Sequence, residues 1–251
     1  MKKLEPILLI FFGILISCDA DNPINRSGIV TDFPLEEGNL WVYNWSTDDQ
    51  DFPENLRNRT IRIIITGKDE INGVETFRFE TTADEEPELT SIHHYRQDSN
   101  KLSLMAYKIY AINDANARTS NPRLNDSLGL TDDGIISGDL VIEEPPRIVY
   151  DYPLEIGKSW THWEKDGSEL ITKQATKLED VSVPAGTFKA YKVENDGAWY
   201  ESNGIETTEF VSNIGLIKRT ISFDQTLTDE QGNIISEKRV NITVELKEFS
   251  E

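Results

Sequence analysis

Along residues 240–247, apolar Val240, Ile242, Val244 and Leu246 alternate with Asn241, Thr243, Glu245 and Lys247. A period of two sends one set to a buried face and the other to water, so this stretch predicts a half-buried β-strand. Residues 59–66, 101–110, 188–193 and 216–223 are rich in β-branched and aromatic side chains and predict further strands. Polar residues 229–233, with Gly232, predict a hairpin loop before Ile234. No long helical stripe follows residue 18, and an all-β fold of antiparallel strands is expected.

The pattern is also duplicated. Phe33-Pro34-Leu35-Glu36-Glu37-Gly38-Asn39-Leu40-Trp41 recurs as Tyr152-Pro153-Leu154-Glu155-Ile156-Gly157-Lys158-Ser159-Trp160, with the aromatic, Pro, Leu, Glu, Gly and Trp positions retained. Further aromatics follow each copy, Tyr43 and Trp45 in one and His162 and Trp163 in the other. Asn72-Gly73, with the chemistry of a tight hairpin turn, precedes Thr76-Phe77-Arg78-Phe79; Pro184-Ala185-Gly186 precedes Thr187-Phe188-Lys189-Ala190-Tyr191. Two related antiparallel β units are therefore expected, over 33–112 and 150–251, as curved sheets or half-barrels. Between them, residues 113–149 are rich in Asn, Asp, Gly and Pro and predict a long linker. Short apolar pieces at 128–130 and 140–142 leave room there for a turn of helix or a short strand, and a lid over a pocket is the alternative.

The first 32 residues have a different character. Lys2 and Lys3 precede an apolar run over 7–16, too short for the ~20 residues that span a bilayer and suited to a secretory signal. Leu15-Ile16-Ser17-Cys18 resembles the lipobox of bacterial lipoproteins, and Cys18 is the only cysteine of the 251 residues. That resemblance implies removal of residues 1–17, lipid attachment at Cys18 and a membrane partner reached through the lipid. Residues 18–32, polar with scattered Gly, Pro and Asn, predict a flexible tether. No second cysteine remains for an internal disulfide, so the fold must rest on its core.

A formal charge of −20 argues against nucleic acid as a partner. The catalytic inventory is sparse: His93, His94 and His162 are the only histidines, and no nucleophile elbow or zinc-helix motif occurs. Gly157-Lys158-Ser159 imitates the end of a phosphate-binding loop but lacks its earlier glycine. Adjacent His93 and His94 point to opposite faces of a strand, which predicts one packed and one exposed ring and no shared metal. Asp48, Asp49 and Asp51 form an acidic loop without the ligand spacing of an EF-hand. No enzyme activity, cofactor or metal site is expected. Trp41, Trp45, Trp160 and Trp163, with Tyr43 and Tyr152, suit either a core motif or a stacking platform for a sugar ring.

The duplicated Pro-Leu-x-x-Gly-x-x-Trp segment, Val181-Ser182-Val183-Pro184-Ala185-Gly186-Thr187-Phe188 and the stretch Phe210-Val211-Ser212-Asn213-Ile214-Gly215-Leu216-Ile217-Lys218 resemble lipoproteins of Bacteroidetes-type bacteria. The Val-Pro-Ala-Gly-Thr-Phe turn is similar to one in periplasmic β domains related to the LolA and LolB lipoprotein carriers. These resemblances imply a lipid-anchored protein of the cell envelope, at the outer membrane on its periplasmic face or the cell surface. By analogy of fold, a curved sheet of this kind wraps an apolar ligand. A non-enzymatic binding or structural role is expected, with an envelope protein, an apolar molecule or a glycan as partner.

Overall fold

The computed structural model describes residues 30–50, 54, 57–83, 86–110, 139–165, 168–197, 200–201, 204–228 and 234–251. The lipobox, Cys18 and most of the tether lie outside the described residues. Twelve strands run in chain order: β1 (Leu40–Thr47), β2 (Asn58–Ile71), β3 (Val74–Ala83), β4 (Glu86–Asp98), β5 (Lys101–Ile109) and β6 (Val141–Asp151) come first. They are followed by β7 (Ser159–Lys165), β8 (Ser168–Val183), β9 (Gly186–Asp196), β10 (Ile205–Ser212), β11 (Gly215–Thr228) and β12 (Ile234–Ser250).

All twelve join one antiparallel sheet in the order β6-β5-β4-β3-β2-β1-β12-β11-β10-β9-β8-β7. The sheet curls into a nearly closed barrel. Apart from β6 and β7, consecutive strands pair with each other, and β1 meets β12 in an eight-residue register running from Leu40↔Ser250 to Thr47↔Ile242. β6 and β7 are the two edges of the sheet. They lie side by side, yet no backbone ladder joins them among the described residues.

The duplicated motif builds the same local structure twice. Gly38 N donates to Ile65 O at 2.9 Å, and Gly157 N to Ala175 O at 2.7 Å. Ile65 N returns to Asn39 O at 3.0 Å, and Ala175 N to Lys158 O at 2.9 Å. Gly38 and Gly157 have φ of 99° and 90°, a region that glycine enters without the Cβ clash of other residues, which accounts for its retention. Beyond each turn the following pair carries a bulge, between Ile65 and Gly67 in one unit and between Ala175 and Lys177 in the other. The extra residue is threonine both times, and the bulge bends the strand toward closure.

Inward positions of the strands make the core. Trp41, 1% exposed, lies 6.0 Å from the Phe79 ring in a stacked arrangement and 5.4 Å from both Phe33 and Phe249. Its cluster draws Ile61 and Ile65 from β2, Val181 from β8, Phe188 from β9, Ile217, Ile221 and Phe223 from β11, and Val240 to Leu246 from β12. A second cluster around Tyr150, Tyr152, Leu154, Trp160 and Val193 includes Val30, which the bridge Val30↔Leu154 ties to the segment between β6 and β7.

One element departs from expectation. The stretch expected as linker through residue 149 contains β6, whose register runs from Val141↔Tyr107 to Asp151↔Lys101. Pro145 and Pro146 interrupt its alternation, and proline lacks the N–H that an interior strand donates. Register shifts on this pair further disguise the period.

Candidate functional site

Charge enters the barrel at positions that strand alternation reserves for apolar residues. On β10, Glu209 sits between inward Thr207 and Val211; on β8, Lys173 sits between Ile171 and Ala175; on β11, Arg219 sits between Ile217 and Ile221. Glu209 and Arg219 are direct cross-strand partners. The Arg219 guanidinium lies 2.9 Å from Glu209 Oε1, and Lys173 Nζ donates to Oε1 at 3.2 Å and Oε2 at 3.1 Å. Tyr150, on β6, reaches across the interior and donates its hydroxyl to Oε2 at 3.0 Å. The Lys173 ammonium also lies 5.2 Å from the centre of the Tyr150 ring.

Electrostatics fix the protonation states of this network. Burial by itself would raise the Glu209 pKa, but the Lys173 ammonium and Arg219 guanidinium outweigh it and hold the carboxyl down to about 2. Burial, with the adjacent Glu209 charge, pushes the Tyr150 phenol well above its ordinary value. At neutral pH Glu209 is therefore an anion and Tyr150 a neutral donor. Such a knot holds elements together and has no proton poised for transfer.

A second set of side chains spans the two sheet edges. Trp160 Nε1 and His162 Nδ1, both on β7, donate to the carbonyl oxygen of Ile148 on β6, at 3.2 and 2.8 Å. One oxygen with two lone pairs can serve both. Arg147, 6% exposed, pairs with Glu143 at 2.8 Å and places its guanidinium 4.3 Å from the centre of the Trp163 ring. Burial, then the Lys173 charge, lowers the His162 pKa to about 3, so the ring is neutral when it donates.

Trp41, Trp45, Trp160 and Trp163 are 1%, 3%, 7% and 9% exposed, and all four lie within core clusters. None presents a ring face to solvent for a sugar. His93 and His94 are both buried, which corrects the expectation that one would be exposed. His93 stacks between Tyr95 and Tyr107, while His94 Nε2 lies 3.0 Å from Asp69 Oδ2 and opposite Arg78 in register. The carboxylate of Asp48 accepts from Asn241 N at 2.7 Å and Asn241 Nδ2 at 2.6 Å, and Asp49 pairs with Lys238. These acidic groups therefore serve the protein's own donors; Asp51 lies outside the described residues. Lys158 is likewise occupied, by Asp151 at 2.7 Å and the carbonyls of Tyr152 and Pro153.

Glu209, Lys173, Arg219 and Tyr150 escape a search for motifs because they come from four strands spread over residues 150–219 with no fixed spacing. The available signal is a charged residue on the apolar phase of a strand, as in Ile217-x-Arg219-x-Ile221.

No protein-family model and no curated protein matches the chain. Among solved structures, one chain called an exported protein with a YmcC-like fold, from Bacteroides fragilis, matches at a TM-score of 0.42 and 11% identity, over 88% of this chain and 100% of that one. A lipoprotein so named from Parabacteroides distasonis matches at 0.38 and 11%, over 88% and 99%. A domain called an outer membrane lipoprotein-sorting protein domain, from Vibrio parahaemolyticus, matches at 0.26 and 10%, over 91% and 87%. These are the kinds of protein that the lipobox and the repeated motif resemble. At these scores the likeness carries no function from those chains to this one.

Proposed function

We propose that the protein is a lipid-anchored component of the cell envelope, at the outer membrane, whose barrel serves a non-enzymatic binding or structural role. The observation that carries the non-enzymatic reading is the engagement of its acid–base groups with one another. Glu209 is held by Lys173, Arg219 and Tyr150, His162 by the Ile148 carbonyl and His94 by Asp69. A general acid or base needs a proton within reach of substrate and a pKa near the working pH, and Glu209 and His162 are both held well below that range. The basic start, the short apolar run and Leu15-Ile16-Ser17-Cys18 support the anchor.

Expression of Cys18→Ala in a bacterial host, with membrane fractionation and mass spectrometry of the N-terminal peptide, tests the anchor. The expected result is an unlipidated chain lost from the membrane fraction; full membrane retention of that variant refutes it. Hydrolytic turnover that one carboxylate or histidine substitution abolishes would refute the non-enzymatic part.

A second reading is a carrier or sensor of an apolar ligand. It is favoured by the nearly closed sheet curled around an apolar interior. Native mass spectrometry of protein purified from its own host decides it: bound apolar mass supports a carrier, and a clean apo mass leaves the packed scaffold.

A further inference from the structure

The repeat makes the two closures of the barrel equivalent. The motif places β1 and β7 at matching positions, and the sheet order runs through each set of six strands in the same sequence, so β12 matches β6. The β1–β12 closure and the β6–β7 closure are thus copies of one junction, made in two different ways. At the first, eight residue pairs form an antiparallel ladder with one register shift, between Val42 and Tyr43. At the second, side chains take the ladder's place.

The sequence explains the difference. β12 contains no proline, whereas β6 carries Pro145 and Pro146, which lack backbone donors and sit where the β5–β6 register shifts. The gap is filled from β7 by the Trp160 indole and the His162 imidazole, both bonded to Ile148 O, and by Arg147 from β6 lying on Trp163. Behind them Tyr150 fastens β6 to Glu209 on β10.

We propose that the β6–β7 junction is a lateral opening of the barrel, and that Trp160, His162, Arg147 and Tyr150 are its latch. Parting β6 from β7 breaks only side-chain contacts, while parting β1 from β12 requires the cooperative loss of a ladder. Opening at β6–β7 uncovers the cluster of Tyr150, Tyr152, Leu154, Trp160 and Val193, so it creates a sideways route into the apolar interior. The matching junction acts as a built-in reference, because both arise from the same repeated segment.

Hydrogen–deuterium exchange with mass spectrometry on the full lipidated chain in detergent tests this, with Tyr150→Phe and Trp160→Phe as variants. Tyr150→Phe keeps the ring and removes one latch donor, and Trp160→Phe removes another latch donor while leaving a smaller aromatic ring. The expected result is exchange about tenfold faster in β6 and β7 of either variant, with β1 and β12 unchanged. Acceleration spread equally over all twelve strands means general destabilisation and overturns the proposal, as does unchanged exchange in β6 and β7. If one variant fails to fold, the other gives the same comparison. In the unmodified chain, protection of β6 and β7 equal to that of β1 and β12 also overturns it.

Discussion

The hydroxyl of Tyr150 donates to Glu209 across the interior of the barrel, at 3.0 Å, and so binds an edge strand to a strand four places away in sequence order. Neither residue belongs to the repeated motif. The bond joins the two sets of six strands at the junction where the sheet does not.

Removing that hydroxyl leaves Glu209 with its two cationic partners. Tyr150→Phe is therefore expected to cost about 1.5–3 kcal/mol, the range for a hydrogen bond to a charged group, read by urea unfolding. Tyr152 makes the control. Its hydroxyl is buried with no hydrogen-bond partner among the described residues, so Tyr152→Phe is expected to be neutral or to stabilise by about 1 kcal/mol. A larger loss for Tyr152→Phe than for Tyr150→Phe refutes this account of the network.

Glu209→Gln is expected to be far more damaging. It leaves the Lys173 ammonium and the Arg219 guanidinium close together in the interior without their shared anion. Loss of one partner from a buried ion pair costs about 3–5 kcal/mol. Thermal unfolding should register a clear fall in Tm, and an unchanged Tm counts against the network as a stabilising element.

Acid should weaken the fold through two groups with the same sign. His162 stays neutral in the folded protein down to about 3, against an ordinary value of 6.5, so between those values the unfolded chain binds a proton that the folded chain refuses. Glu209 stays ionised down to about 2, against 4.5, so the unfolded chain again binds the extra proton in that window. Stability therefore falls as pH drops below about 6.5 and falls further below about 4.5. Urea midpoints measured across this range should show that decline. In His162→Gln the upper part of the slope should flatten; an unchanged slope there means His162 is not its source.

Gly215 marks the place where Phe33, in the segment before β1, packs on the barrel. Its φ is +97°, and an added Cβ would stand 2.8 Å from the Phe33 ring. Gly215→Ala is expected to cost about 2 kcal/mol from backbone strain and to displace Phe33 from Trp41. Near-ultraviolet circular dichroism would report the displacement, and an unperturbed spectrum at unchanged stability would contradict the packing.

The strand set and the duplication were legible because local rules govern both. Alternation marked β12, Asn72-Gly73 marked the β2–β3 turn, and the repeated glycine marked a backbone conformation that few other residues adopt. The site was not legible because pairing across the barrel decides it. Trp160 and Trp163 stood out as aromatics suited to a core or to a sugar platform, but only the position of Ile148 and Arg147 shows that they bridge two edges. β6 was hidden by its prolines, which break the alternation that marks the other strands.

The bridge between Val30 and Leu154 gives the proposed anchor a mechanical address. Leu154 lies in the short segment that links the two edge strands, and Val30 is the first described residue, near the end of the expected tether. On the proposed anchor, tension would be delivered through Val30 to the segment between β6 and β7 and not to the laddered side. A pull from the membrane and the proposed unlatching of the barrel would then act on the same few residues.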